Sequence, residues 1–385
     1  MVARDPDEEH RASTPLELLF DLCFVVAVSQ AASQLHHALI DHHARAGVFG
    51  YAMVFFAIWW AWVNFTWFAS AYDTDDVAYR LLTFLQIVGV LILAAGVQAA
   101  FGHSQFAIIT VGYLVMRVAL LTQWTRAGLA DPTQRPVAYR YVVGILVVQA
   151  AWVAHLWTSS TFFNATFVVL VVAELAVPAW AEHAGTLTSW HPEHITERYG
   201  EFTLIVLGEV VAAATLAVQA VTSSRGLSAP VVELAAGGAL LVFSLWWWYF
   251  EHPAGQTLRQ SANAAFLWGY AHYFVFGGVA ALGAGLQAAA EVLQHPQSHS
   301  NVVAGLAVAL SVNLYLVVTT GLHRAMISGP LISPLWVALA VAVLVVLGAD
   351  ASSLGLGTAV LAMGAVVAAL VTADAVGQRR SPALD

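Results

Sequence analysis

The sequence predicts an all-α, polytopic membrane protein of about twelve transmembrane helices, and three observations predict it. Hydrophobic residues make up 60% of the 385 positions and charged residues 10%, where a soluble domain carries roughly a quarter charged; mean hydropathy is +0.75. Apolar runs of about 20 residues, the length that crosses a bilayer as a helix, recur along the whole chain. The arginines, which supply all of the basic residues, cluster in alternate loops.

Taken in order, spans are expected at 15–39, 47–70, 79–101, 104–126, 138–158, 161–181, 199–220, 230–250, 263–290, 301–323, 331–349 and 354–376. Polar or Gly/Pro-containing breakers separate them: Asp41–Ala46, Asp131–Pro136, Ser159–Ser160, Glu182–Glu197, Pro253–Gln256, His295–Ser300 and Gly329–Pro334. The first, sixth and seventh spans carry acids. With the N-terminus inside, Arg4, Arg11, Arg80, Arg126, Arg135, Arg140, Arg198, Arg259, Arg324, Arg379 and Arg380 lie on the cytoplasmic side. Only Arg45 and Arg225 lie outside, and Arg117 sits within a helix. That asymmetry puts both termini of a multi-pass membrane protein in the cytoplasm, and a cell inner membrane is the expected location. The polar, acid-rich opening stretch lacks the basic and apolar regions of a signal peptide, so the first apolar segment is expected to stay as a helix.

Several function classes are excluded. Net charge is −9 and no Lys-rich tract exists, which argues against nucleic-acid binding. Cys23 is the only cysteine, so neither an internal disulfide nor a Cys-based metal or haem-attachment spacing is available. HExxH, GxSxG and P-loop patterns are missing. No cofactor is predicted; His36 and His155, both toward the outer side, are the pair that would ligate a haem or metal from facing helices.

The halves of the chain resemble each other. Thr14–Asp21 aligns with His194–Glu201, setting Glu17 opposite Glu197 and Asp21 opposite Glu201. Trp59-Trp60 aligns with Trp246-Trp247, Ala94–Ala100 with Gly283–Ala289, Gly89 with Gly278, and Thr125–Ala127 with His323–Ala325. Six helices per half make the repeat parallel, a plan common among transporters. The expected organisation is a first repeat at 1–181, a cytoplasmic linker at 182–198 and a second repeat with a short tail at 199–385.

Ionisable groups in hydrocarbon cost about 2.5–3.5 kcal/mol each on insertion scales, and they persist when paired, hydrated or functional. Glu17 and Asp21 are four apart and share a helix face, as do Glu197 and Glu201; Glu209 lies eight beyond Glu201 on nearly the same face. At 1.5 Å per residue Asp21 lies about 9 Å from its helix start and Glu209 about 15 Å from position 199. Arg117, Glu174 and His272 reach a similar layer. Arg117 neutralises one acid, leaving the others to be protonated, hydrated or cation-bound. Asp21, Glu201, Glu209, Glu17 and Glu197 are therefore the candidate ion-binding residues, with Arg117 and Glu174 compensating charge and Gln30, Gln98 and His272 lining a path. The structural alternative is that Arg117 ties helices together through Glu174 or Asp21, while Glu17 and Glu197 cap helix ends. Gln30, Gln34, Asn64, Gln86, Gln98 and Asn313 equally suit interhelical hydrogen bonds. The Trp-rich stretches Ile58–Phe68 and Leu245–Phe250 read as interfacial belts and packing, and Asp73, Asp75 and Asp76 beside Arg80 as a solvated loop.

Two segments carry a family resemblance. Glu17–Gln30 resembles the opening signature of the bacterial low temperature requirement A family, and Glu197–Glu209 resembles its second signature. Tyr79-Arg80 before a Gly-containing apolar helix also fits. Cys23 and Ser29 depart from the pattern without disturbing the acids. The resemblance covers nearly the whole chain and implies a multi-spanning bacterial membrane protein linked by name to growth in the cold, with no settled activity. The functional expectation is a proton- or cation-coupled secondary transporter or permease, partnered by the lipid bilayer and a small ion or molecule. A membrane redox or lipid-modifying enzyme and a non-catalytic membrane factor for cold growth are the alternatives.

Overall fold

A computed structural model describes residues 11–72, 74–103, 105–183, 188–252, 258, 262–296, 300–326 and 332–380. Arg4, Asp73, Pro253–Gln256, Arg259, His299 and Gly329, on which some expectations above rest, lie outside them.

Thirteen α-helices and no strand occur among the described residues. They are α1 (Pro15–Ile40), α2 (Ala44–Tyr72), α3 (Val77–His103), α4 (Ala107–Ala130), α5 (Arg135–His155), α6 (Ser160–Glu182), α7 (Pro192–Arg225), α8 (Ala229–Phe250), α9 (Ala262–Gln294), α10 (Asn301–Met326), α11 (Pro334–Ala349), α12 (Ala351–Leu354) and α13 (Leu356–Arg380). Eleven are long and apolar enough to cross a membrane. The expected span at 331–349 is instead the 16-residue α11. At 1.5 Å per residue it covers about 24 Å, less than the roughly 30 Å of hydrocarbon. It stops at Asp350, and the chain turns through the one-turn α12 and Gly355, whose φ of 85° favours glycine.

The largest boundary difference is in α7. The sequence reading began it at 199, where hydropathy rises, but the helix starts at Pro192. Proline at the first helical position and Glu193 in the first turn are N-terminal signals that hydropathy overlooks. The extra two turns carry His194 and Arg198 into the folded interior.

The chain divides into two compact units. One comprises the residues up to Ala27 with Ala57–Arg198; the other comprises Val28–Phe56 with Tyr199–Asp385. In the first, α3 packs on α4, α4 on α5 and α5 on α6. In the second, α9 packs on α10, α10 on α11, and α13 on both α8 and α11. Small residues set these seams, as membrane helices require in the absence of a hydrophobic drive between them. A Cβ on Gly112 would lie 2.6 Å from the Gly89 carbonyl oxygen, one on Gly305 2.7 Å from that of Gly348, and one on Gly364 2.8 Å from that of Gly237.

Candidate functional site

Buried charge in the first unit gathers at two places on either side of α2. The first begins at the α1 N-terminus. Thr14 and Glu17 form a capping box: the Thr14 backbone N–H donates to Glu17 Oε2 at 2.9 Å, and the Glu17 N–H donates to Thr14 Oγ1 at 3.3 Å. Glu17 is thus a cap, as the structural alternative held, and also an ion-pair partner. Arg198 Nη1 lies 3.0 Å from its Oε1, and His194 Nε2 lies 3.3 Å from it. One turn on, Asp21 Oδ1 accepts from Arg198 Nη2 at 2.5 Å and from Trp62 Nε1 at 2.7 Å. The side chains of Glu17, Asp21, His194 and Arg198 are all 0% exposed. Asp21 Oδ2 is buried and has no hydrogen-bond partner among the described residues. Arg11, also buried, directs its guanidinium to the carbonyls of Ala69 and Ser70 at the end of α2.

The second place is the pair expected from the sequence. Arg117 Nη2 donates to Glu174 Oε2 at 2.9 Å, and Trp60 Nε1 donates to the same oxygen at 2.8 Å. Arg117 Nη1 reaches Asn64 Oδ1 at 3.0 Å, and the Asn64 amide donates to the Trp60 carbonyl. Trp60 and Trp62 stand two apart on α2, pointing to nearly opposite sides of the helix. Each gives its indole to a different buried carboxylate. The Trp-rich stretch of α2 is therefore an internal donor array rather than an interfacial belt; Trp246 and Trp247, both exposed, keep the belt character.

This overturns one expectation. Arg117 was read as the sole buried base and Arg198 as a loop cation. Arg198 is buried and serves both Glu17 and Asp21. Its spacing of four from His194 was the available signal, since that spacing shares one helix face.

The remaining candidates are spread over both units. Glu209 lies 17 residues into the 34-residue α7, about 24–26 Å from either end, and so stays central although the helix starts seven residues earlier than expected. It is half-buried and has no hydrogen bond or ion pair among the described residues. Glu201 is half-buried and Glu197 exposed. His272 is closed in, its Nδ1 2.7 Å from the Trp268 carbonyl and its Nε2 3.0 Å from the Tyr249 hydroxyl. Gln30 and Gln98 are exposed. Gln86 and Gln123 bond each other, and Asn313 donates to the Val341 carbonyl, as interhelical ties do. His36 pairs with Glu291 at 2.8 Å, whereas His155 bonds Thr166. No group of three metal-ligating side chains occurs among the described residues.

Outside the spans, Asp75 is bound by Arg80 through two hydrogen bonds and Asp76 by Arg126. The Arg80 hydrogen bond holds the Asp75 carboxyl below its usual range; for Asp76 the backbone N–H of Tyr79 is the main cause and Arg126 adds to it.

The fold and its buried charge define a multi-pass α-helical membrane protein. The family model of the bacterial low temperature requirement A protein matches residues 12–371, and the chain belongs to that family. It is 25% identical over 301 residues to an uncharacterized protein of Rhizobium meliloti (strain 1021), covering 72% of this chain and 69% of that one. No solved structure matches it.

Proposed function

We propose that the chain is a proton-coupled secondary transporter or permease of the inner membrane, with both termini cytoplasmic, in which Asp21 takes up and releases the coupling proton. One observation carries this reading: two fully buried carboxylates, Glu17 and Asp21, share the guanidinium of Arg198 while Asp21 Oδ2 is left bare. With a neutral imidazole these four side chains carry one more negative than positive charge. A proton on Oδ2 or on His194 cancels the excess, and the cluster of His194, Glu17, Arg198 and Asp21 offers it both places. Glu209, half-way along α7 and with no partner among the described residues, is a separate carboxylate that suits proton uptake. The sequential packing of α3 on α4 and α4 on α5 in one unit, and of α9 on α10 and α10 on α11 in the other, is what the parallel-repeat reading asks for, and that repeat is a transporter plan.

A proteoliposome assay with an internal pH dye tests it. Under an imposed pH gradient the wild-type protein is expected to carry protons above the level of empty vesicles. Asp21→Asn and Glu209→Gln are expected to fall to that level. Equal flux in wild type and both variants removes the proposal.

The second reading is a non-catalytic membrane factor in which the ion pairs only clamp helices. The direct pairing of Glu174 with Arg117 and of Glu17 with Arg198 favours it. Under this reading Asp21→Asn and Glu209→Gln retain growth at low temperature when they replace the wild-type copy.

A further inference from the structure

The second unit contains a groove that the transport proposal does not use. It runs between α11 and α13, with a volume of about 660 Å³, inside the range of about 300–1,000 Å³ that holds small ligands. Trp336, Leu339 and Val343 form one wall and Ala369, Leu370 and Ala373 the other. The floor is therefore entirely hydrocarbon for most of its length, and both helices are apolar along it. Polarity appears only at one end, where Ser333, Asp374 and Gln378 lie. That end, the start of α11 and the close of α13, is the one the arginine distribution assigns to the cytoplasm.

The charge available at the polar end is positive. Asp374 is turned inward at 4% exposure: its Oδ1 accepts from the Ile332 backbone N–H at 2.9 Å, and its Oδ2 accepts from Gln378 at 2.8 Å and lies 3.3 Å from His252. Gln378 also contacts His252, whose ring stacks on His323. The acid is thus taken up by its own neighbours. Arg324, by contrast, is exposed. One of its nitrogens donates to the carbonyl of Ile332 on the groove rim at 2.6 Å, which among the described residues leaves most of its five N–H donors open. Exposed Trp336 sits where an indole anchors at the membrane interface.

An apolar trough ending beside a guanidinium at its polar end has the layout of an anionic phospholipid. We infer that the α11–α13 groove is a binding site for one anionic phospholipid, its acyl chain along Leu339 and Ala369 and its phosphate on Arg324. A lipophilic cation is the poorer match because Asp374, the only carboxylate among the described groove residues, is already hydrogen-bonded and hidden. The inference does not depend on proton coupling, and its test reads lipid occupancy rather than flux.

Native mass spectrometry of the full-length protein, exchanged into detergent with phosphatidylglycerol or phosphatidylcholine of identical chains, tests the site. Wild type is expected to retain one phosphatidylglycerol in preference to phosphatidylcholine. Arg324→Gln is expected to lower that retention about fivefold, as for one surface cation near anionic lipid, and to leave phosphatidylcholine unchanged. Ala373→Trp and Ala369→Trp, which fill the trough from its exposed side, are expected to lose it. Equal retention of the two lipids by wild type overturns the proposal. So do full retention in Arg324→Gln, displacement of the lipid by tetraphenylphosphonium, and a dimer whose formation excludes it.

Discussion

Replacing Arg198 with Gln strips the counter-charge from two carboxylates at once. Both acids and the guanidinium are 0% exposed, at 3.0 Å and 2.5 Å, so neither acid turns to water when the partner goes. Breaking a buried pair from one side costs about 3–5 kcal/mol, chiefly the penalty of an uncompensated buried charge. Since two charges are orphaned here, the upper part of that range is expected, or more than a thousandfold in the unfolding constant at about 1.4 kcal/mol per decade. Equilibrium unfolding in mixed detergent–SDS micelles, followed by tryptophan fluorescence, reads it. The triple variant Glu17→Gln, Asp21→Asn, Arg198→Gln removes all of the charge while keeping shape. It is expected to return to within about 1 kcal/mol of wild type, because deleting both sides of a pair removes the orphan. A loss below about 1 kcal/mol in Arg198→Gln alone, the size typical of a surface pair, refutes the assignment of Arg198 as the buried hub.

Trp62→Phe removes one donor from Asp21 and is expected to cost about 1.5–3 kcal/mol in the same unfolding assay, the range for a hydrogen bond to a charged group; no measurable change would mean that the indole does not serve the carboxylate. Gly112→Leu places side-chain atoms against the α3 backbone at a contact of 2.6 Å, and a loss of about 1–3 kcal/mol is expected from overpacking. Asp75 and Asp76 have lowered folded-state pKa values, so their stabilisation is present above the unfolded value of about 4 and is lost as pH falls through the folded value. Melting curves of Asp76→Asn should accordingly lie below wild type at about pH 6 and converge with it under acid conditions. In a Cys23→Ser background, a cysteine at Leu227 should react with an impermeant maleimide in intact cells, while one at Thr133 should react only after permeabilisation; the reverse pattern would invert the topology.

The helical membrane architecture was legible because hydropathy is a property of long windows, and α1, α2, α8 and α10 start and end within three residues of the sequence reading. What escaped was local. α7 opens with a polar stretch, ProGluHisIleThrGluArg, that a hydropathy window assigns to a loop, and with it went two of the four side chains of the buried cluster. Arg117 was visible because it interrupts an apolar run, whereas Arg198 abuts a polar one. The pairing of Trp60 with Glu174 and of Trp62 with Asp21 was hidden for another reason. A tryptophan in an apolar helix looks alike whether its N–H meets a headgroup or a carboxylate, and only tertiary placement separates the two. Glu209, by contrast, was found by depth alone, and the longer α7 keeps it at the middle of its helix.

The central claim, that Asp21 exchanges a proton inside the membrane, is tested most directly by pH-difference infrared spectroscopy of the reconstituted protein in the protonated-carboxyl region. The account predicts a carboxyl band that comes and goes with pH, vanishes in Asp21→Asn and persists in Glu174→Gln. An identical band in wild type and Asp21→Asn would contradict it.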